Sequence, residues 1–267
     1  MRMKNKILGG AAMLMAAFSL SEESATSCAV PPTCAQLGYT MKKTDCGDVP
    51  IMRCPFAVSD DTQVYCEGTV KTTVLPILYG DGTVSNKLIS GKTPIGVVFD
   101  ETNRLAVALG DVGKNGVLGQ DVRIAWSDEK IDTPLENCEK GTFDTCGTDG
   151  RKNTDILLKI TTGNYEAAKA VNDYEPAGCA SAFCKKGKWW LPSMKEYSYF
   201  YLSKEAYNLS VAILQVANVR AFPLSNVCYW ASTEVSMSSA WDFCFSSFTK
   251  NDVGKAMTLA VKPMVKY

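Results

Sequence analysis

The chain has 267 residues, with 28 lysines and arginines, 28 aspartates and glutamates, 11 cysteines and no histidine. A balanced charge without a basic stripe argues against nucleic-acid binding. The lack of histidine excludes Ser-His-Asp and Cys-His catalytic arrangements and His-ligated zinc. This length is enough for one large domain, or for a domain with a small appendage.

The N-terminus has the composition of a signal peptide. Basic residues without an acid precede the apolar run 7–20, which is shorter than the ~20 residues that a membrane-spanning helix needs. We expect cleavage after Ser21, which makes residues 1–21 the signal peptide. The mature chain would then have no transmembrane segment and be secreted or held in the cell envelope, as a periplasmic, outer-surface or extracellular protein.

The cysteines predict disulfides, because cysteine at this density in an exported chain favours cross-links over metal sites. Residues 22–70 form a Cys-rich segment that needs such links, since it lacks the periodicity of a buried core. The preferred pairs there are Cys34–Cys46 and Cys54–Cys66, although spacing alone does not fix connectivity. Because the number of cysteines is odd, at least one has no disulfide partner within the chain. Cys28 is the candidate for this unpaired cysteine, and its lipidation is the less favoured alternative.

The domain predicted for residues 71–267 is of the α+β class. Apolar and β-branched runs indicate strands, and apolar residues at helical spacing indicate helices. The expected strands are 72–79, 92–99, 104–109, 122–126, 227–232, 240–246 and 256–266. The expected helices are 155–160, after a cap at Asn153-Thr154, then 165–171, and a region from Met194 toward Asn218. Ser193 and Glu196 have the spacing of a capping box for this last region.

Six of the remaining cysteines suggest local cross-links. Cys138–Cys146 would close the irregular region 110–153, and Cys179–Cys184 would close a short loop. If the loop 233–239 turns symmetrically about Ser236, Cys228 lies opposite Cys244, at a Cα separation of about 4.5–5.5 Å that a disulfide can span. The same register places Trp230 opposite Asp242.

Several blocks, taken in order, carry a resemblance to a bacterial family. They are 81–98, 149–154, Trp190-Leu191-Pro192-Ser193, Tyr229-Trp230-Ala231-Ser232-Thr233-Glu234, Ala240-Trp241 and Val261-Lys262-Pro263. This set resembles the DUF1566 family, which is similar to the C-terminal domain of the Legionella collagen-like adhesin. The resemblance covers roughly residues 75–267. It implies a C-type-lectin-like module of irregular antiparallel sheets and flanking helices, and it does not imply catalysis.

The wider fold includes calcium-dependent lectins, whose ligand motifs are incomplete here. The nearest segments are Glu175-Pro176-Ala177 and Trp241-Asp242-Phe243, and neither supplies the oxygen set that calcium prefers. We therefore expect no metal and no cofactor.

The aromatic residues divide into two expected roles. Trp190, Tyr229, Trp230 and Trp241 are expected to be structural, because the family blocks embed them between strand residues. Trp189 is the candidate for stacking on a ligand, with core packing as the alternative. Glu234 and Asp242 are the other ligand-binding candidates, and as paired carboxylates they could instead hydrolyse a glycoside.

These observations predict an exported, non-catalytic binding module of the bacterial cell surface or exterior. Its expected ligand is a glycan or a host or matrix protein. The alternatives are a structural envelope or filament-like subunit, and an enzyme that acts on glycans. The oligomeric state stays open.

Overall fold

The computed structural model describes residues 74–128, 130–224 and 226–267. The predicted signal peptide 1–21, the Cys-rich segment 22–70, the role of Cys28 and the pairs Cys34–Cys46 and Cys54–Cys66 lie outside the described residues.

Strands dominate both ends of the described chain, and helices occupy its middle. The strands are β1 Ile77–Tyr79, β2 Val84–Ser85, β3 Pro94–Asp100, β4 Leu105–Ala108, β5 Asp111–Val112, β6 Leu118–Gly119, β7 Arg123–Ala125, β8 Cys228–Ser236, β9 Ser239–Cys244, β10 Thr249–Gly254, β11 Thr258–Ala260 and β12 Met264–Lys266. The α-helices are α1 Gly150–Lys159, α2 Glu166–Asp173, α3 Met194–Tyr201 and α4 Lys204–Val216. None of the helices among these residues has the length and apolar character to cross a bilayer.

The strands form two five-stranded sheets and one small ribbon. The first sheet has the order β12-β4-β3-β1-β2, and all its pairs are antiparallel. The second has the order β10-β9-β8-β11-β7, with a short parallel pair between β8 and β11. β5 and β6 form the ribbon. Helices combined with mainly antiparallel sheets confirm the α+β class, whereas the C-type-lectin-like fold stays a prediction.

The C-terminal strand prediction was wrong in one respect. The run 256–266 was expected to be one strand, but β11 belongs to the second sheet and β12 to the first. Pro263 lies between them and has no N–H to donate to a ladder. Its carbonyl accepts a hydrogen bond from Ala108 N at 3.0 Å. The chain therefore crosses from one sheet to the other at this proline.

The hairpin of β8 and β9 has the predicted register at its base and a different one at its tip. Cys228 pairs with Cys244 and Trp230 with Asp242, as expected, but Glu234 pairs with Ala240 after a bulge. The expected symmetric turn about Ser236 is therefore wrong, because β8 continues to Ser236 itself. β10 was not predicted, since its sequence has no apolar alternation.

Helix capping follows the sequence at one helix and not at another. α1 begins at Gly150, earlier than the expected 155, because the Asp149 side chain accepts a hydrogen bond from Lys152 N at 2.9 Å. The expected cap Asn153 lies inside the helix. At α3 the capping box is present: Glu196 N donates to Ser193 Oγ at 3.2 Å, and Ser193 N donates to Glu196 Oε2 at 2.7 Å.

Two apolar clusters make up the core, and the four aromatics expected to be structural lie in them. Trp190, Tyr229 and Trp241 belong to the first cluster, and Trp230 belongs to the second. All four are buried. The indole N–H groups donate to fixed acceptors, for example Trp230 Nε1 to Ile124 O at 3.0 Å.

Three disulfides cross-link the described residues. They are Cys138–Cys146, Cys179–Cys184 and Cys228–Cys244, with Cα separations of 5.6, 5.7 and 4.0 Å. Each joins residues close in sequence, so each fixes a local loop or hairpin. Two of the disulfides lie close to an acidic side chain: Cys138–Cys146 is close to Glu136, and Cys228–Cys244 is close to Asp242. Disulfide sulfurs do not act as the thiolates that soft metals require.

Candidate functional site

Glu234 is buried in an ion pair, where it was expected to face a ligand. Its carboxylate accepts hydrogen bonds from Lys255 Nζ and Thr133 Oγ1. The Lys255 ammonium also donates to Ile131 O at 2.9 Å and to Met237 O at 3.1 Å. Burial raises the pKa of Glu234, although the hydrogen bonds from Lys255 and Thr133 oppose that rise. The pair ties the segment around residue 132 to the β8–β9 turn.

Asp242 is also buried and holds a strand. Its Oδ1 accepts hydrogen bonds from Asn251 N at 3.1 Å and Asn251 Nδ2 at 2.8 Å. Burial raises the pKa of Asp242, while the two bonds from Asn251 lower it. Asp242 therefore fixes β10 against β9. Because Glu234 and Asp242 belong to separate, occupied networks, the structure offers no support for pairing them as catalytic carboxylates.

Trp189 has no exposed face, which corrects the expectation that it stacks on a ligand. It is 1% exposed. Its Nε1 donates to Cys184 O at 3.0 Å, and its ring meets the edge of Tyr174 with centroids 4.9 Å apart. The alternative of core packing is the one that the structure supports, because Trp189 fills the space behind Tyr174.

A cleft of about 530 Å³ opens beside Tyr174. The start of β3, the loop 174–177 and the segment 218–220 surround it. Ile95, Leu109 and Val219 are among its apolar lining residues, and Lys92, Glu175 and Arg220 are among its charged ones. The cleft thus combines an apolar wall with charged side chains, as ligand sites commonly do.

The loop beside the cleft depends on one glycine. Gly178 has φ +80°, and a Cβ there would lie 2.4 Å from Thr93 Cβ. Glycine alone tolerates both the left-handed backbone and the close approach. The position therefore lets the loop 174–177 pack directly against the first residues of β3.

Tyr174 carries the distinctive polar group of the cleft. Its side chain is buried, and its hydroxyl has no hydrogen-bond partner among the described residues. Burial raises the pKa of Tyr174, and nearby Tyr207 raises it further. A buried hydroxyl without a partner costs about 1–3 kcal/mol. Among the residues that line the cleft, Tyr174 is the one whose side-chain polar atom is buried without a bond to a described residue.

The charged groups around the cleft are compensated to different degrees. Lys92 Nζ pairs with Asp81 Oδ2 at 2.6 Å, and this bond lowers the pKa of Asp81 to about 2. Glu175 pairs with Lys185 at 3.0 Å, which lowers the pKa of Glu175. Arg220 donates to Leu118 O at 2.9 Å and forms no ion pair with any described residue. Its guanidinium keeps donors for a ligand.

The sequence carries no motif that predicts this site. Tyr174 directly precedes Glu175-Pro176-Ala177, which was considered only as an incomplete calcium motif. Arg220 lies in a stretch without any recognisable motif. The signal is three-dimensional, because only the folded chain buries the Tyr174 hydroxyl without a partner among the described residues.

Comparisons with known proteins give no family. No protein-family model matches the chain, and no curated protein matches it. The chain is similar to a solved fimbrial protein from Bacteroides ovatus, with a TM-score of 0.45 and 16% identity. The match covers 73% of this chain and 48% of that one, so it extends over about half of the fimbrial protein. The resemblance to DUF1566 stays a prediction.

Proposed function

We propose that the protein is an exported, non-catalytic binding module that captures a glycan in the cleft beside Tyr174. The observation that carries this proposal is the buried Tyr174 hydroxyl, which has no partner among the described residues and belongs to a residue that lines an open cleft. Another molecule that bound in the cleft could supply the hydrogen bond that this hydroxyl lacks.

Export is supported by the disulfides of the described residues. Three local cross-links persist in an oxidising compartment and are rare in reducing ones, and the pairing of Cys228 with Cys244 follows the strand register itself. We place the protein in the cell envelope or outside the cell, where a glycan ligand would be met.

A glycan fits the chemistry of the cleft better than a purely apolar ligand does. Sugars present C–H faces that pack on apolar walls such as Ile95 and Val219, and hydroxyls that both donate and accept. Tyr174 Oη can do either, and Arg220 and Asn218 add donors from the segment 218–220. The volume of about 530 Å³ would hold one or two sugar rings, within the usual range of roughly 300–1,000 Å³.

Catalysis is not needed to explain the acidic residues near the aromatics. Glu234 is bonded to Lys255 and Thr133, and Asp242 is bonded to Asn251. These carboxylates serve the fold, and the cleft residues named here have the character of a binding surface.

The test is a glycan array probed with the mature protein and with two matched variants. Tyr174→Phe removes only the unpartnered hydroxyl, so it should weaken capture about tenfold, the value of one hydrogen bond to a ligand, with no loss of stability. Tyr207→Phe is the control, because Tyr207 Oη contacts Ala108 O at 3.0 Å and Phe222 O at 3.1 Å. This variant should be less stable than the wild type and should still capture the glycan.

Three results would count against the proposal. Unchanged glycan capture by the Tyr174→Phe variant would show that the cleft is not the binding site. Capture of matrix proteins without any glycan would favour the protein-binding alternative. Concentration-dependent polymers without capture of either would favour the structural, filament-like subunit.

A further inference from the structure

Within the described part of the chain, the outer edge of the second sheet is open. β10, Thr249–Gly254, pairs with β9 through all six of its residues and is the last strand in the order. Its other edge pairs with no strand among residues 74–128, 130–224 and 226–267. Four of its residues are exposed, and none is proline. An edge of this kind is a template for a further strand.

The backbone groups that point outward on β10 can be identified. Asn251 N donates to Asp242 Oδ1 on the neighbouring strand, so this amide faces inward. In an antiparallel ladder successive residues point their N–H and C=O groups to alternate sides. The amides and carbonyls of Lys250 and Asp252 therefore point to the open edge and are the groups that an added strand would bond.

The two charges on this edge have opposite signs and are two residues apart. Neither Lys250 nor Asp252 forms an ion pair with a described residue. The Lys250 ammonium lies over the rings of Phe143 and Phe248, at 4.8 and 5.1 Å from their centroids. If a second copy of this strand paired antiparallel with the edge, each charge could lie beside a charge of opposite sign.

We propose that β10 is a dimerisation edge, on which a second copy of this chain adds its own β10 antiparallel around a two-fold axis at Asn251. In this register Lys250 lies opposite Asp252 of the second copy, and the reverse pair forms at the same time. Opposite charges directly across a strand pair are stabilising, and like charges are destabilising. A shift of two residues either way sets Lys250 against Lys250 or Asp252 against Asp252, and a shift of one reverses the faces.

The ends of the strand fit the same register. Phe248 directly precedes β10 and is 47% exposed, although its ring contacts Tyr201 with centroids 4.6 Å apart. It would lie beside Gly254 of the second copy. A side chain would have open space there, because the nearest atom, Ser238 O, is 4.0 Å from the position of a Cβ on Gly254. An aromatic ring that covers a glycine on a neighbouring strand is a recurrent pairing in sheets. The interface is thus self-complementary in charge and in shape, as a two-fold interface requires.

The experiment is sedimentation of the full mature chain over a concentration series, with two charge variants. The wild type should form a dimer and no larger species, since a two-fold contact closes on itself. Asp252→Lys and Lys250→Asp should each weaken self-association by about tenfold or more, because like charges then face each other in both pairs. Mixing the two variants should restore the dimer, since every pair is again of opposite sign.

A wild type that stays monomeric up to about 1 mM would overturn the proposal. So would variants that dimerise alone as strongly as the wild type, or a mixture that fails to recover. Arg123→Glu, a charge reversal on an exposed side chain of β7 at the opposite end of the same sheet, is the control and should leave the dimer unchanged. The Asp252→Lys variant should still capture a glycan, because the edge and the cleft share no residue. A failure of the dimer proposal can therefore be told apart from a failure of the cleft proposal.

Discussion

The network around Glu234 and the cleft beside Tyr174 differ in whether their buried polar groups have hydrogen-bond partners. In the network, the carboxylate and the Lys255 ammonium find partners on several elements. In the cleft, a hydroxyl is buried equally well and has none among the described residues. The first region uses its polar groups to specify the fold, and the second leaves one unused. Conspicuous residues such as Trp189 and Glu234 therefore mark the core, and inconspicuous ones mark the candidate site.

Breaking the buried ion pair should have the largest effect. Lys255→Met leaves the Glu234 carboxylate buried without its counter-charge, so the free energy of unfolding should fall by about 3–5 kcal/mol. The control is Arg123→Met, which removes the exposed pair with Asp121 and should cost less than about 1 kcal/mol. Urea denaturation of both variants measures the difference. Equal losses would show that the Glu234 network does not specify the fold as described.

Trp189→Ala should be nearly as damaging, because the ring is a core side chain that backs Tyr174. We expect a loss of about 3–5 kcal/mol, similar to that for Trp230→Ala, since both truncations leave a large cavity. Thermal and urea unfolding of the two variants are the measurements. A Trp189→Ala protein of normal stability that had lost its ligand would restore the interpretation of Trp189 as an exposed stacking ring.

Glu196 should make stability depend on pH. Burial raises the pKa of Glu196 from 4.5 to about 7, although hydrogen bonds from Ser193 and Trp190 oppose the rise, and Asp149 adds to it. Below pH 4.5 the folded and unfolded states are both protonated, so the group has no effect. Between pH 4.5 and 7 the unfolded chain ionises first, and the free energy of unfolding should fall with rising pH by about 3 kcal/mol in total.

Glu196→Gln is the matched variant for this test. Its amide oxygen can still accept the hydrogen bond from Ser193 N, but it does not ionise. Urea denaturation at several pH values between 4.5 and 7 should show the decline in the wild type and a flatter dependence in the variant. A wild type whose stability rises over this interval would contradict a raised pKa of Glu196 in the folded state.

The smallest effect, and the sharpest contrast, is expected from the two tyrosines. Tyr207→Phe should lower the free energy of unfolding by about 1–2 kcal/mol, because it strips a partner from buried carbonyls. Tyr174→Phe should leave it unchanged or raise it by about 1 kcal/mol, since no protein hydrogen bond is lost. The measurement is chemical denaturation of both variants, with an error in the free energy of unfolding that is smaller than the difference expected between them. A destabilised Tyr174→Phe would reveal a structural role for the hydroxyl.

Local features of the fold were predictable, and long-range ones were not. The capping box of Ser193 and Glu196 and the pairing of Cys228 with Cys244 depend on residues close in sequence, so both were predicted, although the turn assumed for the cysteine pair was wrong. The crossing at Pro263 and the strand β10 depend on which sheet offers an edge, which only the assembled fold decides. The Tyr174 site was missed for the same reason, because a lost partner leaves no trace in the sequence.

The position of β12 suggests an order in which the domain assembles. It completes the first sheet by pairing Met264 with Val107, and it exchanges hydrogen bonds with Trp190 at 3.0 and 3.1 Å. The disulfides join residues only 5, 8 and 16 positions apart, so under oxidising conditions each can close without distant parts of the chain. Pairing across distant parts of the chain has a larger entropic cost and is slower. We therefore expect the cross-linked loops to form before the first sheet is complete, and the pairing of β12 with β4 to be a late step of folding.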